Sequence, residues 1–325
     1  MTRQRSTVTT RVPAKVNLQL SVGPLRSDGY HDLVSVFHAV SLYDEVTVRS
    51  ADRTSVVVRG EGSGEVPTGP ANLAVRAAAA LARATGRRGA KGGSGVRIEI
   101  RKRIPVAAGL AGGSADAAGA LVACNELWRA GCSAADLREI GAQLGSDVPF
   151  ALAGETAVGI GRGEQLTRAL VSGTYHWVLA FGASGLSTPE VYAACDRLRA
   201  ARSGDSGTAN SRANRVWAPE LDTELMAALR SGDPALVGPL LSNDLQPAAL
   251  SLQPLLRRAL AAGRDNGALG AIVSGSGPTC AFLASDADSA SDLAVAITGA
   301  GVCRAVVQVS GPVPGASLVD AGALA

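Results

Sequence analysis

The sequence predicts an α+β protein of two layered domains, and three observations carry that prediction. The chain has 325 residues, more than the roughly 250 to 300 at which a single hydrophobic core stops growing, so two domains are expected. Alternating apolar runs of strand type are interrupted by helical segments and then recur late in the chain, which argues against a doubly wound parallel sheet. No internal repeat of the roughly 20 to 50 residues that marks solenoids and propellers is visible. The expected boundary falls near residues 160 to 175, dividing the chain into units 1–165 and 166–325.

Taken in order, Thr7 to Val22 alternates, with Val12, Val16, Leu18 and Leu20 on one side, as a half-buried strand requires. Val46 with Val48, Val56 with Val58, and Val96 with Ile98 and Ile100 repeat the pattern. Between the last two of these strands, Asn72 to Thr85 is rich in alanine and other helix formers and stops at Gly86, where a left-handed cap is expected. The basic, glycine-rich run Arg87 to Gly95 reads as a solvated loop, with anion binding as the alternative. Helices are expected over Ser114 to Trp128 and Ser133 to Leu144, the second opened by a capping box of Ser133 with Asp136 and stopped by Gly145. Strands follow at Thr156 to Ile160 and His176 to Phe181. Ser187-Thr188-Pro189 opens a helix to about Ala201. The tract Arg202 to Arg215 reads as a surface loop. Helices near Pro219 to Ser231, Pro234 to Leu241 and Leu252 to Ala262 come next, then a glycine-punctuated strand pair over Ala268 to Ser285, a helix over Ser289 to Ala300 and a strand over Cys303 to Val309.

Composition excludes several classes. Hydrophobic residues make up 46%, charged residues 18% and aromatic residues 3%, which is globular and neither collagen-like nor disordered. A net charge of +3 is too small to suggest a nucleic-acid-binding stripe. With 3 His, a multi-histidine metal site is not expected. The five cysteines, Cys124, Cys132, Cys195, Cys280 and Cys303, show no C-x-x-C spacing and read as reduced thiols filling core space. The basic N-terminus lacks a following apolar stretch, and no run of about 18 uncharged apolar residues occurs. These features point to a soluble cytoplasmic protein, monomer or homodimer, whose partners are small molecules rather than nucleic acid or membrane.

The chemistry concentrates in Pro105-Val106-Ala107-Ala108-Gly109-Leu110-Ala111-Gly112-Gly113-Ser114, after a strand and opening a helix. Small residues let backbone amides approach an anion, and the helix's first turn presents unpaired N–H groups with partial positive charge, so the run can cradle phosphate; a ligand-free turn is the equal alternative. It is neither a Walker A nor a G-x-G-x-x-G pattern. Lys15 interrupts an apolar strand and Asp147 lies between a helix stop and Pro149. A strand lysine ordinarily faces solvent, and an Asp after Gly-Ser is ordinarily a cap. If the loop holds a nucleotide, however, phosphoryl transfer needs a base for the attacking hydroxyl and a cation against developing charge, and these two supply one each. Ser274-Gly275-Ser276-Gly277-Pro278-Thr279 reads as a hairpin turn or as a loop packed on a ligand.

Residues 13 to 20, 105 to 118 and 272 to 281 resemble, in order, the three motifs of the GHMP kinase superfamily (galactose, homoserine, mevalonate and phosphomevalonate kinases). The segments Ser27-Asp28-Gly29-Tyr30-His31-Asp32-Leu33, Leu144 to Phe150, Gly161-Arg162-Gly163-Glu164-Gln165-Leu166 and Asn243-Asp244-Leu245-Gln246-Pro247 resemble the branch acting on diphosphocytidyl methylerythritol in the non-mevalonate isoprenoid pathway. The resemblance covers about residues 10 to 310. It implies a ribosomal-protein-S5-domain-2-like N-terminal domain, a ferredoxin-like C-terminal domain and an active site between them. It further implies ATP, with Mg2+ travelling on the nucleotide, and phosphorylation of the substrate's 2-hydroxyl. By motif match, Asp147 would be the base and Lys15 its electrostatic partner. Pro105 to Ser114 would wrap the ATP phosphates, with Asn72 near the adenine. Asn17, Tyr30, His31, Tyr192, Gly275, Ser276 and Gly277 would contact substrate, and no side chain is assigned to a metal. Two departures occur in the second motif: Asp116 where many members have Asn, and Ala115 where Ser is frequent.

Overall fold

A computed structural model describes residues 7–87, 95–204 and 218–319. Most of the basic run Arg87 to Gly95, and residues 205–215 of the Arg202 to Arg215 tract, lie outside the described residues. In order, the elements are β1 (Thr7–Leu25), β2 (His31–Ala51), β3 (Ser55–Gly60), α1 (Leu73–Ala84), β4 (Gly95–Lys102), α2 (Gly112–Trp128), α3 (Ala134–Ala142), α4 (Val148–Ala153), β5 (Thr156–Gly161), β6 (Gln165–Arg168), β7 (Tyr175–Phe181) and α5 (Thr188–Gly204). They continue with α6 (Thr223–Ser231), α7 (Pro234–Val237), β8 (Ser242–Asn243), α8 (Gln246–Leu252), α9 (Leu255–Asp265), β9 (Gly270–Val273), β10 (Cys280–Ala284), α10 (Ala287–Gly299), β11 (Ala305–Gly311) and β12 (Ser317–Leu318).

Two sheets organise the molecule. The larger runs β12-β1-β2-β4-β3, with β5 on β2, β6 on β5 and the two-residue β8 parallel to β1. The smaller is antiparallel in the order β11-β7-β10-β9. Its connectivity, a strand, helices, two strands, a helix and a strand, is the split βαβ pattern of a ferredoxin-like unit. The expected α+β class with two sheet layers is therefore the observed one.

Periodicity explains where the cores form. Along β7, Tyr175, Trp177, Leu179 and Phe181 join the core shared with the larger sheet, while Val178 and Ala180 join the core under the helices of the second half. A strand covered on both faces reads as a continuous apolar run, which Tyr175 to Phe181 is apart from His176. Helix α2 is buried on nearly every side and packs on β1 and β2. Gly119 permits this, because a Cβ there would lie 2.8 Å from Val46 Cγ2 and 2.9 Å from Val12 Cγ2.

Several predicted boundaries shift for identifiable reasons. The helix expected from Pro219 starts at Thr223, where Asp222 accepts bonds from the Glu224 and Leu225 N–H groups. The helix expected from Leu252 is α9 and starts at Leu255; Leu252 instead ends α8, a helix the sequence reading did not anticipate, and Pro254 separates the two because it cannot continue a helix that would need its N–H. The capping box of Ser133 with Asp136 and the left-handed Gly86 (φ +65°) are present as expected. All five cysteines are free thiols. Among the described residues no helix is long and apolar enough to cross a membrane.

Candidate active site

The site begins with the backbone of β1. Its register against β2 shifts between Pro13 and Ala14 and again between Asn17 and Gln19, so Lys15 and Asn17 sit in a short stretch bracketed by two irregularities. Such bulges re-aim side chains, and the first also accommodates Pro13 inside a paired strand. Lys15 is 6% exposed, not on a solvent face. Its Nζ donates to Asn17 Oδ1 at 2.6 Å and to the Gly109 carbonyl at 2.9 Å, and stands 5.9 Å from the Phe37 ring centroid. Asn17 in turn donates to Ser35 Oγ at 2.8 Å. Burial lowers the lysine's pKa, and the negative charge of Asp147 pulls it back up.

Gly109 joins the three motif regions. Its carbonyl accepts from Lys15 Nζ and, at 3.1 Å, from Ser274 Oγ in the third motif. Its φ of +75° and its approach to the Ser274 backbone leave no room for a Cβ. Ala107 and Ala111 also have positive φ, 49° and 61°. Alternating left-handed residues turn successive amides toward one concavity, the geometry of an anion nest. Helix α2 starts there, with Ala111 at its N-cap and no side-chain cap, so its first N–H groups remain for a ligand.

The third motif closes the same space. Gly275 has φ +56°, and a Cβ on it would stand 3.1 Å from Lys15 Nζ and 3.2 Å from Asn17 Oδ1. Ser276 Oγ lies 2.9 Å from Thr188 Oγ1 at the start of α5. This turn is held from behind: Asn243 Nδ2 donates to the Val273 and Gly275 carbonyls, and Gln246 Oε1 accepts from Val273 N–H. The segment from Asn243 to Pro247 thus acts as a buttress for the third motif.

Two adjoining cavities result. The first, about 480 Å3, is lined by Lys15, Asn17, Asn72, Asp147, Gly275 and Ser276 and by eight residues of the glycine-rich run, Pro105 to Gly109 and Ala111 to Gly113. Leu110 points into the core instead, with its carbonyl accepting the Lys15 backbone N–H at 3.3 Å. Ser114 lines the second cavity, and Gly277 lines neither. Asn72 caps α1, accepting from Ala74 N–H and donating to the Pro67 carbonyl, so its side chain shapes the wall while its polar atoms are occupied. The second cavity, about 530 Å3, is lined by Tyr30, His31, Tyr192 and Asp196. Asp147, Tyr192, Thr188 and Arg162 line both.

Asp147 therefore stands at the junction. It occupies the N-cap position of α4 yet makes no side-chain cap bond, so its carboxylate is not used as a helix cap. No direct ion pair joins it to Lys15 among the described residues.

At the far end, His31 begins β2 just after the β1–β2 turn that carries Tyr30. Its Nε2 is 3.1 Å from Asp196 Oδ1, within hydrogen-bonding distance of the carboxylate. Its ring centroid is 5.0 Å from that of Tyr192. Thr188, Tyr192 and Asp196 recur every four residues on one face of α5. Asp196 was not singled out by sequence reasoning; its spacing from Tyr192 is the signal that points to it.

Beside helix α2, Lys102 donates to Asp44 at 2.6 Å and to Asp116 at 2.8 Å, all three buried. Asp44 also accepts from the Arg103 and Ile104 N–H groups. Burial raises the Asp116 pKa, opposed by Lys102. Asp116 is thus a member of an ion cluster tying α2 to β2 and β4.

Comparison with known proteins identifies the family. Residues 72–155 match the model of the GHMP kinases N-terminal domain and residues 225–303 that of the GHMP kinases C-terminal domain. A protein of Mycolicibacterium gilvum named 4-diphosphocytidyl-2-C-methyl-D-erythritol kinase is 56% identical, the match covering 97% of this chain and 93% of the relative. One of the same name from Mycobacterium tuberculosis is 53% identical with the same coverage. A crystal structure of 4-(cytidine 5'-diphospho)-2C-methyl-D-erythritol kinase superposes with a TM-score of 0.71 at 33% identity, covering 93% of this chain and 98% of that one. The chain belongs to the GHMP kinase family, and within it to the branch of the 4-diphosphocytidyl-2-C-methyl-D-erythritol kinases.

Proposed function

We propose that the protein transfers the γ-phosphoryl group of ATP to the tertiary 2-hydroxyl of 4-diphosphocytidyl-2-C-methyl-D-erythritol, in the non-mevalonate route to isoprenoid precursors. The observation that carries this reading is the pair of cavities meeting at Asp147, one walled by a backbone anion nest and the other by Tyr30, His31 and Tyr192. In this reading the cleft lies between the two expected units, 1–165 and 166–325, which the pairing of β8 and β12 with the larger sheet helps to link.

In this reading Asp147 accepts the proton of the substrate hydroxyl as its oxygen bonds to the γ-phosphorus and the bond to the β-phosphate bridging oxygen breaks, releasing ADP. Lys15 opposes the charge developing on the transferred group. The nest from Ala107 to Gly113 holds the phosphates through N–H groups, and Asn17 and the Gly275–Ser276 turn orient the methylerythritol end. Tyr30 and Tyr192 flank the cytosine, and His31, held through Nε2 by Asp196, presents its remaining polar atoms to the base edge.

Among the described residues no group of three metal-ligating side chains is present. Glu65 and Asp147 line the first cavity without forming a ligand cluster, and Asp116 is engaged by Lys102, so the described residues do not make a protein-built Mg2+ site. Mg2+ carried on the nucleotide would neutralise phosphate charge there. The cytoplasm is the compartment this reading entails.

The test is ATP consumption against a panel of alcohols. Turnover is expected with the cytidyl substrate alone, and turnover with mevalonate, homoserine or galactose in its place would overturn the assignment.

A further inference from the structure

The segment Gly161-Arg162-Gly163-Glu164 carries part of the family resemblance, yet nothing above gives its arginine a task. Three cations line the two cavities among the described residues: Lys15, Lys102 and Arg162. Lys15 is bound to Asn17 and Gly109, and Lys102 to two buried carboxylates. Arg162 differs. Its side chain is 36% exposed, and its one acidic partner within ion-pair distance among the described residues is Glu164, with Nε to Oε1 at 3.9 Å, too long for a hydrogen bond. Its guanidinium carbon lies 5.0 Å from the centroid of the Tyr30 ring. The backbone fixes this placement. Arg162 sits in the β5–β6 turn between two left-handed glycines, Gly161 (φ +74°) and Gly163 (φ +101°), and its N–H donates to Glu164 Oε2 at 2.8 Å.

Charge makes the position informative. The second cavity is lined by two carboxylates, Asp147 and Asp196, and among the described residues Arg162 is its one lysine or arginine. An anion crossing that space would meet net repulsion without it. The cytidyl substrate must cross it, because its two phosphates link a base at Tyr30 and Tyr192 to a hydroxyl at Asp147. A planar guanidinium suits phosphate oxygens, which it can engage in a fork of two parallel bonds.

We propose that Arg162 binds the diphosphate of the cytidyl substrate and so determines specificity for a nucleoside-diphosphate-linked alcohol over a free one. This rests on the functional reading above. Stacked on Tyr30, the guanidinium couples recognition of the phosphates to that of the base, and Glu164 holds the turn without neutralising the fork.

The experiment measures, by calorimetry, the affinities of CDP and of cytidine for the wild-type protein, Arg162→Gln and Arg162→Lys, together with KM for the cytidyl substrate. In Arg162→Gln, CDP affinity is expected to fall about ten- to hundredfold, the range for losing a hydrogen-bonded charge. KM is expected to rise in parallel and cytidine affinity to hold within about twofold, a change of under half a kcal/mol. Arg162→Lys is expected to recover part of the loss. An equal fall for cytidine and CDP would overturn the proposal by showing that Arg162 only orders Tyr30, and so would unchanged CDP affinity. If the wild-type protein binds neither CDP nor cytidine and does not use the cytidyl substrate, the functional reading falls as well; if it does both and Arg162→Gln is indistinguishable from it, only the arginine assignment fails.

Discussion

Lys15 shows what one residue's surroundings reveal beyond its sequence neighbours. Alternation along β1 says which residues share a face, but not that the second half of the chain covers that face near Lys15. The ordinary expectation of a solvent-facing lysine therefore gives way to a cation 6% exposed, held by Asn17 Oδ1 and the Gly109 carbonyl. Burying an ammonium is costly unless it is paired and hydrogen-bonded, and a strand lysine without a task would sit in water. Lys15→Met keeps much of the volume and removes the charge. It is expected to lower turnover by at least ~100-fold while the protein stays folded; steady-state kinetics beside a thermal melt check this, and unchanged kinetics would make the lysine structural. Asp147 carries a similar lesson: its position is that of a cap, and only the structure shows that no cap bond forms. Tyr30, His31, the glycine-rich run and the segment holding Arg162 were legible as motif residues, whereas Asp196 belongs to an ordinary helix pattern, and its pairing with His31 shows only when the elements are brought together.

At the scale of elements, long periodic strands and capped helices were legible and short connecting pieces were not. Two-residue strands such as β8 and β12 have no period to detect, and the bulges that aim Lys15 leave no mark in an alternating pattern. The mounting of α2 is the element-level feature with the largest energetic consequence. Lys102 at the end of β4 holds Asp44 of β2 and Asp116 of α2, with side chains 2%, 0% and 4% exposed. Lys102→Met leaves two buried carboxylates facing each other and is expected to destabilise the protein by about 3 to 5 kcal/mol, the range for breaking a buried pair from one side. Asp116→Asn, which keeps an acceptor for Lys102 and removes one buried negative charge, is expected to cost far less. Denaturant titration of both variants decides: equal losses would show that the cluster does not act through its charges.

For the whole molecule, the α+β class and the two layers were legible because each half has its own alternating strands, while the interlocking was not. β12 returns to the first sheet, and the face of β7 bearing Trp177 seals against it. His38 sits at that seam. It is fully buried on β2, pairs through Nδ1 with Thr156 Oγ1 at 2.8 Å, and lies 5.9 Å from the rings of both Tyr175 and Trp177. Burial drives its pKa down to about 3, against a smaller opposing pull from the Gly311 backbone. The unfolded imidazole titrates near 6.5, so between about 6.5 and 3 the unfolded state binds more protons and stability falls as pH falls. From this residue about 2 kcal/mol is expected to be lost between pH 7 and pH 5. Urea midpoints for the wild-type protein and His38→Gln across that window check it; the same slope in both would show that the seam does not titrate through His38.

In the proposed mechanism, the carboxylate at the junction of the two cavities removes the proton that phosphoryl transfer requires. Rapid-quench single-turnover measurement of wild-type protein and Asp147→Asn, with ATP and the cytidyl substrate saturating, tests it most directly. The rate of phosphoryl transfer is expected to fall by at least ~100-fold with ATP affinity nearly unchanged. A rate close to that of the wild-type protein would contradict it.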